Sequence, residues 1–265
     1  MTSRLIINIA RKAASHEKAF PKGRVGTLVK AYVGVSGFSY DSWRGTFYPD
    51  ETKSEEYLTH YSSRLPSVEI NSSFYAAPSQ AMVKGWASKT PGDFRFSFKA
   101  PRLITHIMKL GKGAPEAAGR LSQTLDLLDT RRGPILFQLP PFLKLNIELL
   151  SEFLTKTSEI SPRVFEFRHG SWFNDDTYSL LEEHGAGFCI AETEDLEPTF
   201  KVTGGLAYFR LREDVYDEAQ VDAWSETIRK VAGGSEECYV YLRHDDTGKN
   251  GLLAQRLSGK LAERR

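Results

Sequence analysis

Cysteine is scarce in this chain: 265 residues contain two, Cys189 and Cys238. Each sits in an apolar, strand-like run, which excludes a disulfide-built scaffold and reads as a pair of buried free thiols in a reducing, cytoplasmic setting. Long apolar runs are missing as well. None approaches the roughly 20 residues a membrane span requires, so an integral helical membrane protein is excluded and no membrane partner is expected. No Gly-x-Gly-x-x-Gly follows the first strand and no P-loop occurs, which removes support from nucleotide-binding open sheets. His-Glu-x-x-His and the Gly-x-Ser-x-Gly elbow are also absent, so neither a zincin nor an α/β-hydrolase has its signature here.

What is present fits an ordinary globular chain, 40% hydrophobic and 26% charged, long enough to bury a sizeable core. The net charge of +1 conceals an asymmetry. Residues 1–30 hold seven basic side chains against Glu17 alone, or +6, which leaves −5 on the remainder. The body is therefore not the broad cationic surface that tight, non-specific duplex binding needs. Residues 1–31 read as a poorly ordered basic extension, either a transit peptide or the product of a start site placed too far upstream.

From Tyr32 onward, short apolar or alternating runs recur with helical patterns between them. Strands are predicted at 32–36, 67–71, 94–99, 134–139, 163–168, 186–191, 207–212 and 238–243. Helices are predicted at 54–65, 79–88, 115–129, 147–160, 177–184 and 218–231. Eight strands alternating with helices predict an α/β fold, a single (β/α)8 TIM-barrel-like domain over 32–258, with a charged tail at 259–265.

Alternation splits each strand into two faces. Phe209 and Leu211 oppose Tyr208, Arg210 and Arg212. Val240 and Leu242 oppose Tyr239, Tyr241 and Arg243, while Phe165 and Phe167 oppose Val164, Glu166 and Arg168. The helix-facing side of a barrel strand must be apolar, so the polar faces point into the lumen, where each polar group costs several kcal/mol unless paired or wet. The side chains nearest the strand C-termini, where barrels carry their sites, are Asn71, Lys99, Gln138, Arg168, Arg210 or Arg212, and Arg243. Lys99, Arg168, Arg210 and Arg243 outnumber Glu69 and Glu166 by two charges, and arginine offers a donor fork matched to phosphate or carboxylate. The expectation is a cationic pocket for a small anionic ligand, with Asn71 and Gln138 orienting it and Glu69 and Glu166 as catalytic acid/base candidates. The competing reading is an internal salt-bridge network, such as Glu166 with Arg168 and Glu69 with Arg243, that only satisfies itself.

Around the predicted mouth stand Tyr40, Phe74, Tyr75, His169 and Trp172, which would either stack a flat ligand or plug the barrel top. Glu69, Glu166, His169, His244, Asp245 and Asp246 fall near strand ends, yet the arginines among them would repel a cation, so a divalent metal is the weaker alternative and no metal ligands are assigned.

Several motifs together resemble one known family. They are Gly34-x-Ser36-Gly37-x-x-Tyr40 with Trp43, Glu69-x-Asn71-x-x-Phe74-Tyr75, Phe96-x-Phe98-Lys99 and Phe137-Gln138-Leu139-Pro140-Pro141. Glu166-Phe167-Arg168-His169-x-Ser171-Trp172 and Tyr208-x-Arg210-x-Arg212 continue the series. This ordered succession resembles the YecE-like family, domain of unknown function number seventy-two. The resemblance implies a TIM-barrel-like fold with irregular closure at the last strand. It also implies, as alternatives to a small-ligand pocket, a nucleic-acid-associated module or an endonuclease IV-like metal-dependent phosphoesterase. Where many relatives close with an Asn-rich strand, this chain has Tyr241-Leu242-Arg243-His244-Asp245. Neither catalysis nor an oligomeric state is read from the sequence.

Overall fold

A computed structural model describes residues 30–193 and 196–263. The basic extension therefore lies outside the described residues, except for Lys30 and Ala31, which begin the first strand. Eight parallel strands form the wall: β1 Lys30–Val35, β2 Ser67–Ile70, β3 Arg95–Lys99, β4 Arg132–Gln138, β5 Arg163–Glu166, β6 Gly187–Ala191, β7 Leu206–Leu211 and β8 Glu237–Leu242. Around them lie α1 Tyr57–Arg64, α2 Gln80–Ser88, α3 Ala114–Leu125, α4 Ile147–Lys156, α5 Asp175–Glu183, α6 Glu218–Val231 and α7 Lys249–Ala262. Among the described residues no helix joins β6 to β7, and no helix is long and apolar enough to cross a membrane.

The predicted faces hold. Outward residues such as Val68, Phe96, Phe137, Phe165, Phe209 and Val240 are fully buried against the helices in the main core. Inward, Tyr32, Leu136, Val164, Cys189, Tyr208, Tyr239 and Tyr241 fill the lower lumen. Tyr32 and Tyr239 stack with ring centroids 5.0 Å apart, and the Arg95 guanidinium lies 5.0 Å from the centre of the Tyr32 ring. Tyr241 shares hydrogen bonds with the hydroxyls of Ser67 and Ser97. The barrel floor is thus a plugged, largely aromatic layer. Both cysteines are buried and free.

The last helix escapes the sequence pattern because Gly248 and Gly251 interrupt it. Both lie against aromatic rings of the β1–α1 connection. A Cβ at Gly251 would come within 2.6 Å of Phe47, and Gly248 (φ 77°) faces Trp43. The helix start is held instead by Asp245, whose carboxylate accepts from the backbone N–H groups of Thr247, Lys249 and Asn250. Helix α7 runs on to Ala262 and buries Leu261, so residues 259–262 belong to the barrel and not to a tail.

Closure is irregular, but not at the last strand. β8 pairs over six rungs with both β1 and β7. The sheet instead breaks between β1 and β2, which meet through a single bridge at Ser36 and Glu69. The reason is steric and polar. Gly34 lies so near the Ser67 carbonyl that a Cβ would sit 2.0 Å from its oxygen. Alongside, the Tyr61 hydroxyl is inserted into the seam, accepting from Val35 N–H at 2.7 Å and donating to Ser67 C=O at 2.9 Å. One phenol therefore takes the place of a missing ladder rung.

Removing that hydroxyl leaves two buried backbone groups without a partner, a cost of about 1–3 kcal/mol. Tyr61→Phe is expected to lower the unfolding free energy by that amount, read as a lower urea midpoint with an unchanged slope, whereas Tyr57→Phe, whose hydroxyl bonds to the exposed Asp41 carboxylate, should cost less. Equal midpoints for the two variants would show that the seam is not held by Tyr61.

Candidate functional site

Above the aromatic floor lies a sealed ionic layer. Arg210 of β7 is 3% exposed and Glu69 and Glu166 are fully buried. The Arg210 guanidinium binds both oxygens of Glu69, each at 2.9 Å, and reaches Glu166 Oε2 at 2.7 Å. Glu69 also accepts from the Ser36 hydroxyl at 2.7 Å and the Tyr208 hydroxyl at 2.9 Å. Glu166 Oε1 accepts from Gln138 Nε2 at 2.8 Å and pairs with Arg168 Nε. Burial alone would raise both carboxyl pKa values. The charge of Arg210, helped by Arg212 for Glu69 and by Arg168 for Glu166, overrides it and holds each at about 2.

This corrects the acid/base expectation. Both glutamates are locked anions whose oxygens are occupied by protein donors, so neither holds a proton near neutral pH. Arg210 is likewise committed to them. The competing network reading is therefore right for this layer, although Glu69 pairs with Arg210 and not with Arg243, which instead binds Asp214 at 2.6 Å near the rim.

The layer forms the floor of a cavity of about 570 Å³ at the strand C-termini. Going round the barrel, β2 to β5 contribute Asn71, Lys99, Gln138 and Arg168. The segments after β6 and β7 contribute Glu192, Thr193, Arg212, Glu213 and Asp214, and β8 leads into Arg243 and His244. With Glu69 and Glu166 beneath, five cations face five carboxylates. The excess of two positive charges expected from the sequence is thus absent from the whole cavity. It survives locally above the floor: the β2–β5 arc carries Lys99 and Arg168, and its two carboxylates, Glu69 and Glu166, are sealed below.

The Lys99 ammonium has no hydrogen bond or ion pair among the described residues and sits 4.1 Å from the centre of the Phe74 ring. Burial, and then the charge of Arg210, bring its pKa down to about 8. Arg212 is held by Ser36 Oγ at 3.0 Å and the Tyr241 carbonyl at 2.9 Å, while its backbone N–H donates to Glu192. Burial followed by Arg210 lowers Arg212 to about 10. Asn71 Oδ1, Arg212 Nε and His244 Nδ1 are buried atoms of lining residues without a hydrogen-bond partner among the described residues, which is unusual for a relaxed core.

Of the expected mouth aromatics, only some approach the cavity. Phe74 backs Lys99, and Tyr40 backs His244 through a stacked contact at 4.8 Å. Trp172 is instead 1% exposed, stacked on Phe167 at 4.6 Å and bonded to the Leu143 carbonyl, so it packs the β4–β5 side. His169 accepts from the Ser171 N–H and caps a short turn. Tyr75 is 86% exposed and outside the cavity wall. Ligand roles for these three do not fit their positions. Arg212, named from the sequence as the alternative to Arg210 at the end of β7, lines the cavity together with it. Glu192, Glu213 and Asp214 follow strand ends, where alternation stops being informative. No group of three or more His, Cys, Asp or Glu side chains among the described residues is arranged to hold a metal ion.

An open polar cavity at the carboxyl ends of eight parallel strands defines a (β/α)8 barrel of the kind that carries its site at the mouth. Residues 32–265 match the family described as Protein of unknown function DUF72, and the chain belongs to it. It is 33% identical over 167 residues to UPF0759 protein YunF of Bacillus subtilis, covering 58% of this chain and 57% of that one. Over 136 residues it is 28% identical to UPF0759 protein YecE of Escherichia coli K12, covering 51% of this chain and 35% of that protein. The matched stretch thus spans little more than half of the first relative and about a third of the second. A crystal structure of a DUF72 family protein from Thermotoga maritima superposes with a TM-score of 0.77 at 28% identity, covering 88% of this chain and all of the other.

Two outcomes follow from the sealed layer. Glu69 and Glu166 have folded pKa values below their ordinary 4.5, so their stabilisation is complete above pH 4.5 and is lost as pH falls through about 2. An acid titration followed by circular dichroism should show stability declining across that window. Arg210→Met should cost about 3–5 kcal/mol by stranding two buried anions, and adding Glu69→Gln and Glu166→Gln should restore part of it. No recovery in the triple variant would mean that charge is not what Arg210 supplies.

Proposed function

We propose that the cavity binds a small anionic molecule, with its carboxylate or phosphate against Lys99 and Arg168 and its hydroxyl- or amine-bearing part toward Glu192, Glu213 and Asp214. The observation that carries this reading is the polarity of the rim: one arc, β2 to β5, offers N–H donors and amides with no open carboxylate, while the acidic side chains collect opposite it. The unpartnered Asn71 and Arg212 atoms support it, since buried polar groups left without partners suit a wall that a ligand completes. A volume of about 570 Å³ suits a metabolite-sized molecule. The buried thiols of Cys189 and Cys238 agree with a reducing, cytoplasmic location.

The nucleic-acid and metal-dependent phosphoesterase alternatives draw less support. The chain beyond residue 30 carries −5, and the carboxylates nearest the floor are already bound by arginine.

Thermal unfolding against a panel of phosphate- and carboxylate-bearing metabolites tests the reading. At a hundredfold excess over Kd a true ligand stabilises by about 2.7 kcal/mol, a shift of several degrees for a protein of this size. Arg168→Ala should abolish that shift. A shift of the same size in Arg168→Ala would remove this arc as the anion site, and salt-dependent retention of single-stranded nucleic acid with no metabolite shift would favour the nucleic-acid alternative.

A further inference from the structure

We propose that Lys99 is a carbonyl-condensing amine, forming an imine with an aldehyde or ketone carbon of a ligand whose anionic group lies against Arg168. This deepens the pocket reading above and rests on it.

The geometry is unusual for a structural lysine. Lysines are almost never drawn even partly into a protein interior without a paired charge, and Lys99 is half-buried on the cavity wall. Here the two carboxylates that act on it, Glu69 and Glu166, are already committed to Arg210, Arg168, Gln138, Ser36 and Tyr208. Lys99 is left with the face of Phe74, itself braced by the edge of His106 at 5.0 Å. The side chain ends at the C-terminus of β3 on the cavity wall. Burial, and then the charge of Arg210 with a smaller part from Arg168, disfavour the ammonium form and outweigh the opposing charges of Glu166 and Glu69. With a pKa near 8, about a quarter of the side chain is the neutral amine at pH 7.5, against about one part in a thousand for an ordinary lysine.

Among the described residues no serine or cysteine lines the cavity, so the amine is the strong nucleophile available there. The step balances without a further reagent. The neutral Nζ adds to the carbonyl carbon, and the carbonyl oxygen takes up a proton as the nitrogen releases one. The resulting hydroxyl then leaves as water while the nitrogen gives up its second proton. One carbonyl and one primary amine thereby become one carbon–nitrogen double bond at Lys99 Nζ and one molecule of water.

The test uses the full chain with pyridoxal 5′-phosphate and, in parallel, pyridoxal, each at low concentration near pH 7.5. Borohydride reduction and peptide mass mapping then locate the adducts. Lys99 should be labelled about tenfold faster than exposed lysines such as Lys84 and Lys144, and excess inorganic phosphate should slow labelling by the phosphate ester but not by pyridoxal. Lys99→Arg, which keeps the positive charge but removes the primary amine, should lose the adduct at this position. Labelling at Lys99 that is equal for both aldehydes and indifferent to phosphate would support the amine and overturn the anion reading. Adducts confined to exposed lysines, with thermal stabilisation by anionic metabolites intact, would overturn the amine and leave the anion reading standing.

Discussion

Arg210 stands between two carboxylates in the middle of the barrel, and the arrangement of nearly every other polar group follows from it. Taking three charges out of water costs several kcal/mol each, and only close, fully hydrogen-bonded geometry returns that cost. The chain supplies it from β1, β2, β4, β5 and β7: Ser36, Glu69, Gln138, Glu166, Arg168, Tyr208 and Arg210 all contribute. An apolar plug of equal volume would be no less stable. The ionic cluster differs in what it imposes: it ties together strands that do not touch in the sheet and leaves a polar upper surface.

The lumen is consequently graded from bottom to top. Stacked tyrosines and aliphatic side chains close the base, the arginine–carboxylate layer seals the middle, and only above it are polar side chains open to a ligand. Because the layer consumes both inner glutamates, the side chains above must find other partners. Arg243 finds Asp214 and Arg212 finds Ser36 and a carbonyl. Lys99 finds only an aromatic ring. The reactivity argued for Lys99 is thus an indirect product of the same cluster that gives the barrel its rigid centre.

Strand alternation made much of this legible beforehand. A strand with Phe209 and Leu211 on one side and Tyr208, Arg210 and Arg212 on the other has one possible orientation in a barrel, and each inward side chain named from that rule is found in the lumen or at its mouth. Alternation says nothing about which inward groups face each other across the lumen. It therefore could not decide that Arg210 would occupy both glutamates. Nor does it extend past strand ends, where Glu192, Glu213 and Asp214 reverse the charge balance of the rim. Trp172 takes the packing alternative and His169 caps a turn, because a polar or aromatic residue just after a strand serves equally well to cap a turn, pack beneath it or face a ligand. Helix α7 was hidden because its glycines answer to Trp43 and Phe47, about 200 residues earlier in the chain.

The Tyr61 seam has a consequence for how the chain assembles. Although β1 is the first strand among the described residues, it shares six rungs with β8 and a single bridge with β2. During synthesis, at about 5–20 residues per second, strands β2 to β7 each meet their neighbour soon after emerging. β1 must wait with its edge unpaired until residues 237–242 arrive. Its six-rung pairing therefore carries the loop-closure entropy of the whole barrel, while the Tyr61 hydroxyl, only 26 residues from Val35, gives that strand a local tether to the wall.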